Sequence, residues 1–214
     1  MIGATGATGS DLLNLLLRDS TVRQVNVFVR RKLNVEHHKL NVHVIDFDKP
    51  EQWKHLVKGD VLFSCLGTTL KVAGSKEAQW KIDYKYQYAF ARAASENNVP
   101  CYVLVSAAGA SPNSFLFYSK MKGQLEEAVK ALKFQSLAIF NPPLLERKNT
   151  DRGGEVSAAK VIRFFNKLGL LQSQKPLPTE ILAQAMLNVA KANLAGSRAF
   201  KGKEIWAQAL SRNG

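Results

Sequence analysis

The 214-residue sequence predicts an α/β fold with a doubly wound parallel sheet. Three observations lead there. Short β-branched or apolar runs alternate with helical stretches along the chain, and a glycine-spaced turn, GATGATG over residues 3–9, stands before the first helical stretch. Several of the runs are apolar throughout, as expected of strands covered on both faces. Parallel neighbours need crossover connections, and right-handed crossovers put helices on both faces. The natural strand order is therefore 3-2-1-4-5-6, with ligands at the carboxyl ends of the strands.

The elements follow in order. DLLNLLLRD (11–19) carries Leu12, Leu13, Leu15, Leu16 and Leu17, too many apolar positions for a surface helix, and predicts one pressed against a sheet. VNVFVR (25–30) and NVHVIDF (41–47) are β-branched with period two, and DVLFSCLG (60–67) is an apolar run ended by glycine. KEAQWKIDYKYQYAFARAASENN (76–98) lacks Gly and Pro and predicts a long helix stopped before Val99 and Pro100. CYVLVSAAGA (101–110) reads as a buried strand running into small residues, FYSKMKGQLEEAVKALK (117–133) as a second long helix, and QSLAIFNPPLL (135–145) as a strand broken by Pro142 and Pro143. EVSAAKVIRFFNKLG (155–169) and TEILAQAMLNVAKANLAG (179–196) read as helices closed by glycine, and KEIWAQAL (203–210) suits either a last strand or a helix. A strand is expected before Gly3, central in the sheet. Only Met1 and Ile2 stand there against a usual strand of ~5 residues, so a few residues upstream of Met1 are expected in the working protein.

Composition narrows the classes of function. An apolar content of 46% with 22% charge suits one globular domain with a proper core, and no repeat, low-complexity tract or long linker divides it. No apolar run approaches the ~20 residues that span a bilayer, and no signal-peptide pattern opens the chain, which makes the cytoplasm the expected compartment. Cys65 and Cys101 sit inside apolar stretches and read as small core residues. His37 and His38 are adjacent and point in different directions on any regular element, so no metal site is expected. The net charge of +13 draws polyanions nonspecifically, but the cations are scattered from Arg18 to Arg212 without a nucleic-acid-binding motif, so no specific nucleic-acid partner is expected.

In the α/β setting the glycine loop has a chemical meaning. Gly3, Gly6 and Gly9, with Thr5, Ala7 and Thr8 between them, permit the turn from strand to helix and let the backbone approach a diphosphate. The following helix offers free N–H groups and partial positive charge to that anion. At the end of the second strand, where an acid would accept the adenosine ribose hydroxyls of NAD, stand Arg30, Arg31 and Lys32. Guanidinium forks match phosphate oxygens, so the sequence favours NADP(H) over NAD(H). Asp46 and Phe47, ending the third strand, are expected at the adenine edge, and Leu66, Gly67 and Thr68, ending the fourth, along the cofactor.

A proton donor is also at hand. Tyr118 and Lys122 are four apart and share a helix face, and a nearby ammonium favours tyrosinate, lowering the phenol pKa. Ser106 ends the fifth strand twelve residues earlier, placed to hold a substrate carbonyl in line with the tyrosine.

The glycine loop, CLGTTLKVAGSKEAQWKIDY (65–84) and VLVSAAGASPNSFLFYSKMKGQLEEAV (103–129) together resemble the atypical short-chain dehydrogenase/reductases, specifically the NmrA-like group that contains the Tat-interacting-protein oxidoreductases. Gly67, Gly74, Ser75 and Asp83 carry most of that likeness, which spans most of residues 3–145. The resemblance implies a Rossmann fold, bound NADP(H), and a Ser/Tyr/Lys set matching Ser106, Tyr118 and Lys122. In such enzymes the lysine also bonds the nicotinamide ribose, the tyrosine moves a proton at the substrate oxygen, and hydride passes at the nicotinamide C4. Where many relatives end the fifth strand with two hydroxyl residues, this chain has Ser106 and Ala107; where they have Arg-Pro after the sixth, it has Asn141 and Pro142 beside the nicotinamide.

The expected organisation is a single Rossmann-type domain, with residues 1–145 as the NAD(P)-binding core and 146–214 as a C-terminal part forming the substrate wall; Phe115, Phe117 and Phe165 are candidates to line a pocket, with core packing the alternative use of each. The expected function is an NADP(H)-dependent oxidoreductase acting on a small carbonyl or alcohol. The alternatives are an NADP(H)-binding redox sensor that reports to a protein partner and an enzyme resembling nucleotide-sugar epimerases.

Overall fold

The computed structural model describes residues 1–146 and 176–211. Helix α1 (Ala7–Arg18) buries Leu12, Leu13, Leu16 and Leu17, as the dense leucine pattern requires. Strands β1 (Val25–Val29), β2 (Leu40–Val44), β3 (Val61–Ser64), β4 (Cys101–Val105) and β5 (Ser136–Asn141) all pair in parallel. Ile2 bridges Phe28 on one side and Ser64 on the other, with its N–H donating to Phe63 O at 3.0 Å and its carbonyl accepting from Cys65 N at 3.1 Å. The order across the sheet is thus β2, β1, Ile2, β3, β4, β5, which is the 3-2-1-4-5-6 order expected from the sequence.

Short helices α2 (Pro50–Trp53) and α3 (Leu70–Ala73) interrupt the crossovers. The long helix expected over 76–98 is built in three pieces: α4 (Lys76–Trp80), a π-helical turn (Lys81–Tyr86) and α5 (Gln87–Glu96). Gln87 reaches back to donate its side-chain N–H to the Asp83 carbonyl at 2.8 Å, so a side chain does part of the hydrogen bonding of the widened turn. Helix α6 (Phe117–Lys130) and the two-residue strands β6 (Leu145–Glu146) and β7 (Leu177–Pro178) precede α7 (Thr179–Ala192), whose packing against α1 covers one face of the sheet.

Two apolar clusters sandwich the sheet, as strand alternation dictates. Val27, Val103 and Phe140 pack with the leucines of α1 and with Met186 of α7, whereas Phe28, Tyr102, Leu104 and Ile139 pack with Trp53, Phe90 and Leu125 on the other face. Trp53 and Phe90 stack with ring centroids 4.0 Å apart. A fully buried side chain such as Leu12 contributes about 1.5–3 kcal/mol.

The C-terminal elements depart from the sequence reading. Helix α7 ends in Asn193, left-handed at φ 44°, and not in the expected glycine. Gly196 instead opens β8 (Gly196–Lys201), an edge strand pairing with β5 in which Phe200 alone is buried. With Gly, Ser and Arg in place of an apolar run, that strand carried no recognisable pattern. Residues Lys203–Leu210 form helix α8, resolving the alternative in favour of helix. The helix expected over 155–169 and Phe165 lie outside the described residues. No helix among the described residues is long and apolar enough to cross a membrane.

Candidate functional site

The glycine loop closes at the carboxyl edge of the sheet. Gly3 has φ +81°, and a Cβ there would lie 2.4 Å from the Cys65 carbonyl carbon. A Cβ on Gly9 would fall 2.0 Å from the Gly3 oxygen, so these two glycines let the loop lie on the end of β3 and the helix lie on the loop. Gly6 differs. It is the exposed N-cap of α1 at φ −79°, and its nearest neighbour to an added Cβ is 3.4 Å away. No side chain caps this helix and no acid stands in its first turn. Beside exposed Thr5 and half-buried Ala7, the first-turn N–H groups and the positive end of the helix therefore fit an anion, while Thr8 is buried beneath.

Arg30 and Arg31 follow β1, exposed and in no salt bridge among the described residues. Asp46 is also exposed, accepting from Asp48 N at 3.0 Å and lying 3.5 Å from Lys49 Nζ. Phe47 turns inward instead, packing on Tyr86 and Phe90, so its ring belongs to the core and not to the adenine edge. After β3, Leu66 is half-buried and Gly67 exposed, and the Thr68 N–H donates to Asp83 Oδ2 at 2.9 Å.

Helix α6 completes the edge. Tyr118, Lys122 and Glu126 recur every four residues and form one stripe. Lys122 is 2% exposed; its ammonium donates to the Val105 carbonyl at 3.3 Å and lies 3.8 Å from Oδ1 of the wholly buried Asp83. Gly123 lets the helix press on the loop after β4, because a Cβ there would meet the Ser111 carbonyl carbon at 2.2 Å. The site is thus continuous: Gly3 touches the Cys65–Leu66 backbone, Thr68 bonds Asp83, and Asp83 pairs with Lys122.

Ser106 is buried at the end of β4, and its hydroxyl donates to Glu126 Oε1 at 2.5 Å. Asn141, buried at the end of β5, donates its amide to the same oxygen at 2.7 Å and to the Ala107 carbonyl at 3.1 Å. Pro142, also buried, accepts from Ala108 N at 2.9 Å. A hydroxyl has one proton, and that of Ser106 is directed to Glu126. No hydrogen bond joins Ser106 to Tyr118 among the described residues.

The electrostatics reverse one expectation. Burial pushes the Lys122 ammonium down, while Asp83 and then Glu126 oppose that fall. Burial raises the Asp83 carboxyl, opposed by Lys122 and the Thr68 N–H. Tyr118, 40% exposed, is pushed up to about 12, first by lost hydration and then by the Asp83 charge. The expected lowering by the neighbouring ammonium does not prevail, because burial of the phenol, with the Asp83 charge behind it, acts in the opposite sense.

The parts that two residues play in this network were not read from the sequence. Glu126 extends the Tyr118 and Lys122 stripe by one turn, a spacing that was there to be read. Asp83 stood in the sequence only as part of the family likeness and without a role, since its partner lies 39 positions away and only the fold joins them. Behind it, Ser64 donates to Gln87 Oε1 at 2.7 Å and ties the π-helical turn to β3. A cavity of about 430 Å³ opens at the opposite, amino ends of the strands, lined by Asn26, Val57, Asp60 and Val99 among others, away from these residues. Among the described residues no three His, Cys, Asp or Glu side chains are grouped to hold a metal.

The chain is similar to known proteins in sequence and in fold. The sequence profile described as NAD(P)H-binding matches residues 3–162. The chain is 32% identical over 217 residues to protein fmp52-1, mitochondrial, of Aspergillus terreus, covering 96% of this chain and 92% of that protein. It is 34% identical over 194 residues to protein HTATIP2 of Rattus norvegicus, covering 88% of this chain and 78% of the other. The fold is similar to that of the Bordetella bronchiseptica enzyme WbmH in complex with NAD+, with a TM-score of 0.66 and 15% identity over 94% of this chain and 73% of that one. The cytoplasmic expectation is overturned, because the Aspergillus relative and others like it are named mitochondrial. That expectation came from default, since neither composition nor a Rossmann-type core distinguishes one aqueous compartment from another.

Proposed function

The chain belongs to the NAD(P)H-binding family of atypical short-chain dehydrogenase/reductases, and on that premise we propose that it is an NADP(H)-dependent oxidoreductase of a small carbonyl or alcohol substrate. The observation that carries the reading is the alignment of Tyr118 and buried Lys122, four residues apart on one face of α6, with Lys122 joined through Asp83 and Thr68 to the glycine-cradled loop. The α1 N-terminus with Thr5, Gly6 and Ala7 would hold the diphosphate, Arg30 and Arg31 the 2′-phosphate, and Leu66, Gly67 and Thr68 the length of the cofactor. The bound dinucleotide supplies a hydride equivalent. Tyr118 gives its phenolic proton to the substrate oxygen, and Lys122 fixes the ribose and the charge beside it. Ser106 and Asn141, drawn together by Glu126, fix the ends of β4 and β5 under that oxygen. A mitochondrial location, as in the names of relatives, belongs to this reading.

The test is NADPH oxidation against a panel of aldehydes, ketones and quinones, with wild type and Tyr118→Phe. Turnover by the wild type and a loss of 10²-fold or more in the variant is expected, at about the size of general acid catalysis. Equal rates in both remove Tyr118 from the chemistry. A second reading, an NADP(H)-responsive regulator, is favoured by the commitment of the Ser106 proton to Glu126, which leaves that hydroxyl nothing to donate to substrate. NADPH binding without turnover of any panel member would support it.

A further inference from the structure

We propose that the cavity at the amino ends of the strands is a strand slot, whose occupant is an extended apolar segment of about four residues that runs into the Met1 amine, parallel to β1 and β3. The inference is independent of the oxidoreductase reading, because the slot lies at the other end of the sheet from Tyr118 and Lys122.

Sheet geometry sets direction and register. Ile2 bridges Phe28 and Ser64 in parallel, so β1 and β3 stand two strand spacings apart, about 9.6 Å. That gap holds one strand. Stepping back from Ile2, Met1 is level with Val27 and Phe63; its carbonyl accepts from Phe28 N at 3.0 Å and its nitrogen donates to the Asn26 carbonyl. The next levels are Asn26 with Leu62, Val25 with Val61 and Gln24 with Asp60, and each of these pairs lines the cavity of about 430 Å³. Its mouth lies one level further, between Arg23 and Gly59.

The backbone offers the matching groups. Along a parallel strand, alternate residues turn their N–H and C=O to the same neighbour. Val25 N donates to Lys39 O and Val29 O accepts from Ile45 N, so these residues of β1 serve the β2 side and Asn26 turns to the slot. On β3 the Phe63 carbonyl accepts from Ile2 N at 3.0 Å, so Phe63 and Val61 turn to the slot from the other side. A residue joined to Met1 would bond the Phe63 N–H and the Val61 carbonyl, and the one before it the Asn26 N–H and the Gln24 carbonyl.

The walls set the side chains. Leu16, Leu187 and Ala190 belong to the apolar cluster on one face of the sheet, and Val57, Leu62 and Val99 to the cluster on the other. The occupant therefore sends apolar side chains alternately into both. One charge points the same way. The Met1 ammonium is buried, and lost hydration lowers it to about 5, whereas an amide in its place would keep the bond to Asn26 without a charge to bury.

The experiment compares the chain with one extended before Met1 by Lys-Val-Ile-Val-Val, and with extensions of equal length, Lys-Gly-Ser-Gly-Ser and Lys-Val-Pro-Val-Pro. The Val-Ile form should melt about 5 °C or more above both controls, since glycine and serine fill no apolar walls and proline removes ladder donors. Its Asn26 and Phe63 amides should exchange at least about tenfold more slowly than in the unextended chain. Equal Tm in the Val-Ile and Gly-Ser forms overturns the proposal, and so does a proline form as stable as the Val-Ile form. Stabilisation by free Lys-Val-Ile-Val-Val but not by the joined segment would give the slot to a partner chain, and an unextended chain whose Tm rises with its own concentration to the extended value would give it to a second copy; either result overturns the proposal. Should the extended form not fold, amide exchange of the unextended chain decides. Asn26 and Phe63 must then exchange faster than Val27 and Leu62, which bond to β2 and β4, and equal protection overturns the proposal.

Discussion

Replacing glycines of the first loop one at a time separates folding from binding. In Gly9→Ala the new methyl would sit 2.0 Å from the Gly3 oxygen and 2.7 Å from its carbon, both backbone atoms at the heart of the turn. Reaching ordinary contact requires α1 or the loop to retreat by about 1.4 Å, against a helix that buries four leucines. Overpacking of that kind costs about 1–3 kcal/mol, and with no flexible side chain to yield the upper end applies. For a domain of this size about 3 kcal/mol lowers Tm by roughly 6–12 °C. Gly6→Ala meets nothing closer than 3.4 Å at an ordinary φ, so its Tm should move by less than about 2 °C. Gly6 nevertheless stands exposed at the bare helix N-terminus, where a methyl would obstruct a diphosphate. Its NADPH affinity should drop by about tenfold or more, about 1.4 kcal/mol. Calorimetry gives both quantities for each variant. A Gly6→Ala protein that binds NADPH as tightly as wild type would refute the diphosphate cradle, and a Gly9→Ala protein of wild-type Tm would refute the close packing.

Arg30→Glu should weaken NADPH at least about tenfold more than NADH, because a carboxylate repels a 2′-phosphate that the guanidinium would pair; equal losses in fluorescence titrations of the two would remove the 2′-phosphate argument. Asp19 predicts a pH dependence of stability. Its carboxylate accepts from Lys191 on α7 at 2.8 Å and from Thr21, which holds it down at about 2 against an ordinary 3.8. The folded value lies below the unfolded one, so this stabilisation is complete above the unfolded value and disappears as pH falls towards 2. Asp19→Asn should therefore cost on the order of 1 kcal/mol at neutral pH in urea unfolding, and the gap from wild type should close near pH 2; a gap that persists there would mean that the loss is not ionic.

Periodicity and composition determined much of this protein. The leucines of α1, the apolar runs of β3, β4 and β5, and the alternation of strand and helix point to the sheet order, because burial on two faces leaves a mark in those inner strands. The spacing of Gly3, Gly6 and Gly9 and the stripe of Tyr118 and Lys122 were local patterns, and the structure brings both to the carboxyl edge. Edge strand β8 was illegible, since one buried residue, Phe200, makes no period. The inward turn of Phe47 was equally hidden, as the rings it packs on come from elements 39 and 43 positions away. Tertiary structure alone decided which partners the charged groups of the site meet. In sequence Lys122 stands beside Tyr118 as an unopposed cation; in the fold the π-helical turn buries Asp83 against it, and Glu126 accepts the hydrogen bond of the Ser106 hydroxyl. Hydrophobic patterns repeat along the chain and can be read there, whereas an ion pair across a core exists only where two distant segments meet in a medium that cannot screen them.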